Sequence, residues 1–399
     1  MYKLFTVSLL CLLFHFTSAQ ETDFSTQLSK EIEQIATQGH INGFGVAIVN
    51  QDGLLYSRGF GYADKKAKKP YEVNTIQNIG SVSKTFIGVA LLKAQELGQL
   101  NLDDPINQYL PFKVINPHYP EETITIRQLA THTSSIKDPL RYETSGYVLK
   151  EQSPTGKKKA NFRSPDKMIS LSEFQQSLLD PKGKWYKKSN FLRKKPGEWF
   201  DYTNVGAGLA AYVLELATKK SFDEFTQEYI LNPLGMSSSG WNFESVHLSH
   251  HSQLYNDPET ELAPYRLVNY PDGGLITSVT DLSKYLTELI RGYHGQGKIL
   301  SAASFDELFT QQLTAAQFGE RKESAFNDEY NSGIFMGFSA QGYVGHTGSD
   351  PGVATFMFFN SKTGIGKILF INTELKKEGV QEFIAIWKKM DEYEEQLKP

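Results

Sequence analysis

Between residues 24 and 38 the apolar side chains Phe24, Leu28, Ile32 and Ile35 recur at spacings of four, four and three, which predicts a helix with one buried stripe. The next stretches change period. Residues 43–50 (GFGVAIVN) and 53–64 (GLLYSRGFGYAD) read as two strands joined at Gln51-Asp52, and the run of Lys65, Lys66, Lys68 and Lys69 after them reads as a solvated loop. Residues 81–98 return to a helical pattern, closed by turn chemistry at Leu100–Pro105. The far end mirrors this opening. Residues 353–360 (VATFMFFN) and 366–372 (GKILFIN) are strands parted by a turn, followed by a helix with Val380, Phe383, Ile384, Trp387 and Met390 on one face.

Between the two ends the strong patterns, 206–218 and 222–235, are helical. The chain therefore predicts an α/β (α+β) fold: an antiparallel sheet flanked by N- and C-terminal helices, from about 20–110 and 260–399, with a mostly helical unit inserted at about 111–259. No internal repeat is visible.

The first nineteen residues place Lys3 before an apolar run and end in Thr17-Ser18-Ala19, the build of a cleavable secretory signal. The mature chain is expected to begin at Gln20 and to be secreted or periplasmic. The run from Leu4 to Phe16 is too short and too interrupted to span a bilayer, and no later stretch approaches membrane length. Cys11, the only cysteine, lies inside it, so the mature chain has no disulfide, thiolate metal ligand or cysteine nucleophile. A net charge of −4 gives no sign of a nucleic-acid partner. Residues 150–195 depart from that balance, with thirteen Lys or Arg against four Asp or Glu. They read as a solvated, mobile insertion, which would favour carboxylate-bearing substrates if it bordered the active site.

A serine hydroxyl is a weak nucleophile near neutral pH, so acyl transfer needs a base within reach and donors aimed at the developing oxyanion. Ser81-Val-Ser-Lys84 opens the predicted helix at 81–98. Positions i and i+3 lie roughly 60° apart on one helix face, so the two side chains can touch. The spacing recurs at Ser134–Lys137 and Ser164–Lys167, but only Ser81 leads into a clean buried-helix pattern. Tyr202-Thr-Asn204 supplies a second element, since a tyrosine beside an ammonium loses its proton more readily and an asparagine can hold a lysine. For a third element there are two candidates. Lys362-Thr-Gly364 sits where a hairpin must turn, whereas His346-Thr347-Gly348 ends a β-type stretch and leads into Ser349-Asp-Pro-Gly352, so His346 is preferred.

Neither a Gly-x-Ser-x-Gly elbow nor a His-Glu-x-x-His helix occurs. His247, His250 and His251 lie in a polar loop without acidic partners in helical register and are not read as metal ligands; no cofactor is implied. His132 reads as a structural hydrogen-bonding residue.

Taken in order, Ser81-x-x-Lys84, Tyr202-x-Asn204 and His346-Thr347-Gly348 resemble the three motifs of the class C β-lactamase and D-alanyl-D-alanine peptidase family, on the fold shared with penicillin-binding proteins. Residues 125–134 (TIRQLATHTS), Pro196-Gly197, 233–236 (PLGM) and Gly273-Gly-Leu275 resemble further family stretches, so the likeness covers nearly the whole mature chain. It implies acylation of Ser81, proton transfers shared by Lys84 and Tyr202, Asn204 holding Lys84, and an oxyanion hole from the backbone N–H groups of Ser81 and Ser349. The implied substrates are D-amino-acid peptides, β-lactams or esters, with peptidoglycan as a further candidate partner. The alternative is a penicillin-binding or wall-sensing module that acylates without turnover. Two departures stand out: His346 where the antibiotic-hydrolysing branch has lysine, which points toward peptides or esters, and Ser135 where the family has glycine.

Overall fold

The strand Gly43–Val49 (β1) is buried along its whole length, and its alternating side chains feed two different cores. Phe44, Val46 and Ile48 face one way and join a cluster that includes Leu28, Ile32, Ile386 and Met390. Ala47 and Val49 face the other, toward Leu282, Tyr285, Leu286 and Ile290. Burying each large apolar side chain contributes about 1.5–3 kcal/mol, so a sheet covered on both faces is the natural end of such a run.

The computed structural model describes residues 24–321 and 332–397; the expected signal segment lies outside them. Residues 24–36 form helix α1. After β1 come β2 (Leu54–Asp64) and a two-residue edge strand β3 (Lys69–Pro70). The β1–β2 turn is fixed by Asn50, whose Oδ1 accepts from the N–H groups of Asp52 (2.8 Å) and Gly53 (3.0 Å). The C-terminal part supplies β4 (Gly337–Phe338), β5 (Tyr343–Asp350), β6 (Val353–Asn360) and β7 (Gly366–Ile371). The seven strands run β4-β5-β6-β7-β1-β2-β3, antiparallel throughout, with β1 registered on β7 as Phe44 opposite Ile371.

Three long helices follow α1 in sequence before the last. Helix α2 (Ser83–Glu96) is buried nearly all round, as its even hydrophobicity requires, and stacks Phe86 on Tyr285 at 3.9 Å. Helix α3 (Asn204–Thr218) packs against it, and α4 (Val279–Tyr293), capped by Ser278, lies under β1 and β7. Helix α5 (Lys377–Tyr393) joins α1 on the opposite face of the sheet. Of the predicted face, Phe383, Trp387 and Met390 pack against the sheet, but Val380 is exposed and the stripe is rotated toward Glu382, Ile386, Met390 and Tyr393, four and three apart.

Two local readings are corrected. The predicted helix at 81 begins two residues later, and Ser81 sits in a 3-10 turn, Gly80–Val82. That turn is pressed against β5: a Cβ on Gly80, whose φ is +54°, would lie 2.6 Å from the Ser349 nitrogen, and one on Gly348 would lie 2.0 Å from the Ile79 oxygen. The basic stretch 150–195 is not a loose insertion. Its lysines face solvent, but helix Leu171–Leu179 buries Leu171, Phe174 and Leu178, a three-and-four spacing that the charge count obscured. Strand Tyr147–Leu149 further ties this region down by pairing with both Phe162–Arg163 and Tyr265–Leu267, a small sheet that the sequence did not announce.

Candidate active site

The 3-10 turn and the first turn of α2 put the Ser81 hydroxyl and the Lys84 ammonium one turn apart, and Lys84 Nζ donates to Ser81 Oγ at 2.9 Å. Lys84 is wholly buried and its remaining donors are used: Nζ also donates to Asn204 Oδ1 (2.6 Å) and to the backbone oxygen of Asp272 (2.7 Å). Burial alone would push its pKa down. Tyr202, Asp272 and Asp138 reverse this and hold it above the ordinary lysine value, so Lys84 is a cation here. The Tyr202 ring lies beside it, with Nζ 5.1 Å from the ring centroid, and its electrostatic pull favours the charged form of the lysine.

His132 backs this tyrosine. Its ring stacks on Tyr202 at 4.5 Å, and its Nδ1 accepts from the Thr203 N–H at 3.2 Å. Burial, then the charge of Lys84, holds its pKa well below the usual histidine range, so it is neutral and serves as packing and acceptor. His346 is also buried, on β5, with its ring 6.2 Å from that of Tyr202. Thr347, Gly348 and Ser349 continue β5 along the Ser81 turn, and the 3.1 Å approach of a Gly348 Cβ position to the Ser81 nitrogen shows how closely the two backbones run. The structure thus gathers Ser81, Lys84, Tyr202, Asn204 and the 346–349 strand around one point. Lys362-Thr-Gly364 instead lies in the β6–β7 hairpin, with Gly364 at φ +68°.

Several residues at this point carry no motif. Asp138 accepts from Thr203 Oγ1 (2.8 Å), Asn204 N (2.9 Å), Asn204 Nδ2 (2.7 Å) and Val205 N (2.9 Å). It thereby satisfies the start of α3 and fixes the Asn204 amide so that its oxygen faces Lys84. Asp138→Ala is expected to lower stability by about 2 kcal/mol, read as a shifted denaturation midpoint at unchanged slope. A shift of only a few tenths would remove Asp138 from this role.

Asp272 and Asp350 form a second buried layer. Asp272 Oδ2 accepts from Tyr142 Oη (2.7 Å) and Asn269 Nδ2 (2.6 Å), and Asp350 Oδ1 accepts from Tyr147 Oη (2.7 Å). Burial pushes Asp272 up to about 6 and Asp350 up to about 7. Asp350 Oδ2 is buried without a hydrogen-bond partner among the described residues, and such burial disfavours the charged carboxylate. Ser135 is accounted for as well. It occupies left-handed backbone at φ +67°, where glycine is the easy choice, and its Oγ accepts from Asn116 Nδ2 at 2.9 Å.

A hydroxyl bonded to a buried ammonium, beside a tyrosine and a backbone strand, is an arrangement suited to acyl transfer. Comparison with known proteins agrees with the fold. Protein flp of Staphylococcus aureus (strain COL) is 27% identical over 354 residues, spanning 88% of this chain and 63% of that protein. The chain therefore covers less than two thirds of this relative's length. Among solved structures, the D-amino acid amidase of Ochrobactrum anthropi SV3 superposes with a TM-score of 0.68 at 20% identity, over 92% of this chain and 99% of the amidase. The D-alanine carboxypeptidase AmpC of Burkholderia cenocepacia gives 0.63 at 19% identity, over 92% and 99%. The family model described as Beta-lactamase matches residues 28–389. Spanning nearly all the described residues, that match makes the chain a member of the β-lactamase family.

Proposed function

We propose that the protein is an exported serine hydrolase that works through an acyl-enzyme on Ser81. The observation that carries this reading is the 2.9 Å bond between Ser81 Oγ and a buried Lys84 that Asn204 and the Asp272 backbone oxygen hold in place. Ser81 Oγ attacks the substrate carbonyl carbon; Tyr202 takes its proton as the bond forms and passes it to the leaving group. Lys84 remains cationic and steadies the charge on Tyr202, while Asn204 holds Lys84 in place. The backbone N–H groups of Ser81 and Ser349 receive the oxyanion, and His346, Thr347 and Gly348 line the substrate. Residues 20–399 form one hydrolase domain after loss of the signal at 1–19.

The favoured substrates are D-amino-acid peptides, amides or esters. His346 in the third motif supports this over β-lactams, and the amidase and carboxypeptidase named above share the fold. The test is covalent labelling followed in time. Intact-mass measurement should show one fluorophosphonate adduct, mapped to Ser81, and a slow acyl substrate should give a transient adduct that clears within its turnover time. Complete inertness of the folded protein to both reagents would end the hydrolase reading, and an acyl adduct that persists for hours would replace it with a penicillin-binding or wall-sensing module.

A further inference from the structure

The two buried carboxyl groups behind the site are supplied unequally. Asp272 Oδ2 has two donors, Tyr142 and Asn269, and the Asp272 backbone oxygen accepts from Lys84. Asp350 follows Ser349 directly at the end of β5, and its Oδ1 has one donor, Tyr147 Oη at 2.7 Å. Asp350 Oδ2, buried and without a partner among the described residues, lies against Gly273: a Cβ there would stand 3.0 Å from Oδ2 and 3.7 Å from the carbonyl carbon of Gly80. Gly80 opens the Ser81 turn, and Gly273 follows the residue whose backbone oxygen holds Lys84. Asp350 therefore sits where the end of β5, the turn of the nucleophile and the support of Lys84 meet.

Negative charge at this point opposes the reaction. An oxyanion received by the Ser81 and Ser349 N–H groups is repelled by a carboxylate one residue away in surroundings that exclude water. The groups around Asp350 decide whether it carries that charge. Tyr147, from the strand Tyr147–Leu149, donates to it, whereas Tyr265, from the strand Tyr265–Leu267, donates to the Pro351 oxygen at 2.9 Å. Asp272 adds a second carboxyl from the turn Tyr270–Asp272, and Tyr142 donates to that group. Lys84 of α2 draws Asp350 toward the charged form but spends its own donors on Ser81, Asn204 and the Asp272 oxygen. Lys159 and Glu374 line a concavity with Asp350 and are paired with each other. Burial, reinforced by Asp272, outweighs Tyr147 and Lys84, and Asp350 is pushed up to about 7.

We propose that Asp350 is a positioning residue for the Ser349 oxyanion donor and acts as the uncharged acid, its Oδ1 anchoring the end of β5 on Tyr147 while the proton on Oδ2 keeps negative charge away from the oxyanion. The proposal rests on the Ser81 reading. Asp350→Asn tests it, because the amide keeps an oxygen for Tyr147 and is neutral at every pH. With 4-nitrophenyl butyrate, which has no ionising group, the ratio of variant to wild-type kcat/KM should be near one at about pH 6 and rise about tenfold or more by about pH 8.5. The rate at which a fluorophosphonate labels Ser81 should follow the same course. Tyr147→Phe removes a donor that favours the charged form, so it should move the wild-type decline to higher pH and have no such effect in the Asp350→Asn background. A ratio that stays flat with pH overturns the proposal, and a flat ratio well below one leaves Asp350 a structural role alone. A second readout needs no turnover. Because burial raises Asp350 above its unfolded value, the wild type should lose stability relative to Asp350→Asn as pH rises from about 4 to about 7 and hold a constant difference above that. A difference that does not change with pH overturns the proposal too. The expected course of stability without hydrolysis or Ser81 labelling removes the Ser81 reading and with it the part of Asp350 in the reaction. A flat ratio in a protein that hydrolyses and labels leaves the Ser81 reading standing and removes only the role of Asp350.

Discussion

Ser81→Ala is expected to lose on the order of 10⁴-fold in kcat/KM for any substrate the wild type turns over, because it removes the hydroxyl that Lys84 Nζ holds at 2.9 Å and that the proposed acyl-enzyme forms on. The substitution should leave the fold alone. Ser81 is half-buried, and without it Lys84 keeps two acceptors, Asn204 Oδ1 and the Asp272 carbonyl. Matched thermal melts and steady-state rates check both halves, with intact mass confirming that no adduct forms. A folded variant retaining more than about one per cent of the activity would show that the nucleophile lies elsewhere.

The second large effect belongs to Lys84→Met, expected to lower kcat/KM by about 10³-fold. Methionine fills much the same volume, so the loss reports charge and hydrogen bonding. Stability should move far less than activity. The change orphans Asn204 Oδ1 and the Asp272 carbonyl, at about 1–3 kcal/mol each, but it also removes a buried cation whose desolvation was costly. Kinetics and denaturation on the same preparation separate these quantities. Activity above a tenth of wild type in a folded Lys84→Met protein would contradict the assignment of Lys84.

The periodic elements were readable because one physical rule dominates each. β1 is apolar at every position and lies between two layers; α2 is apolar nearly all round and is buried. Ser81 was readable only through its companions, since its own spacing occurs three times in the chain. Asp138, Tyr142, Asp272 and Asp350 were not readable. Each acts across a long sequence gap, 66 residues for Asp138 with Asn204 and 130 for Tyr142 with Asp272, and Asp272 contributes to Lys84 through a backbone oxygen that any residue could supply. The true start of α2 escaped for a related reason. The tight turn at Ser81 is imposed by β5, whose arrival cannot be inferred from residues 79–83 alone.

The pairing of β1 with β7 has a kinetic meaning. One edge of β1 is covered at once by β2, its hairpin neighbour, but the other waits for residues 366–371, more than three hundred positions later. Until those residues leave the ribosome, a wholly buried strand of the finished molecule has an open row of backbone donors and acceptors. Long-range closure of this kind is slow and exposes sticky edges on the way. The central sheet therefore cannot close early in synthesis, and the nascent chain stays unfinished, and open to holding factors, until β7 has emerged.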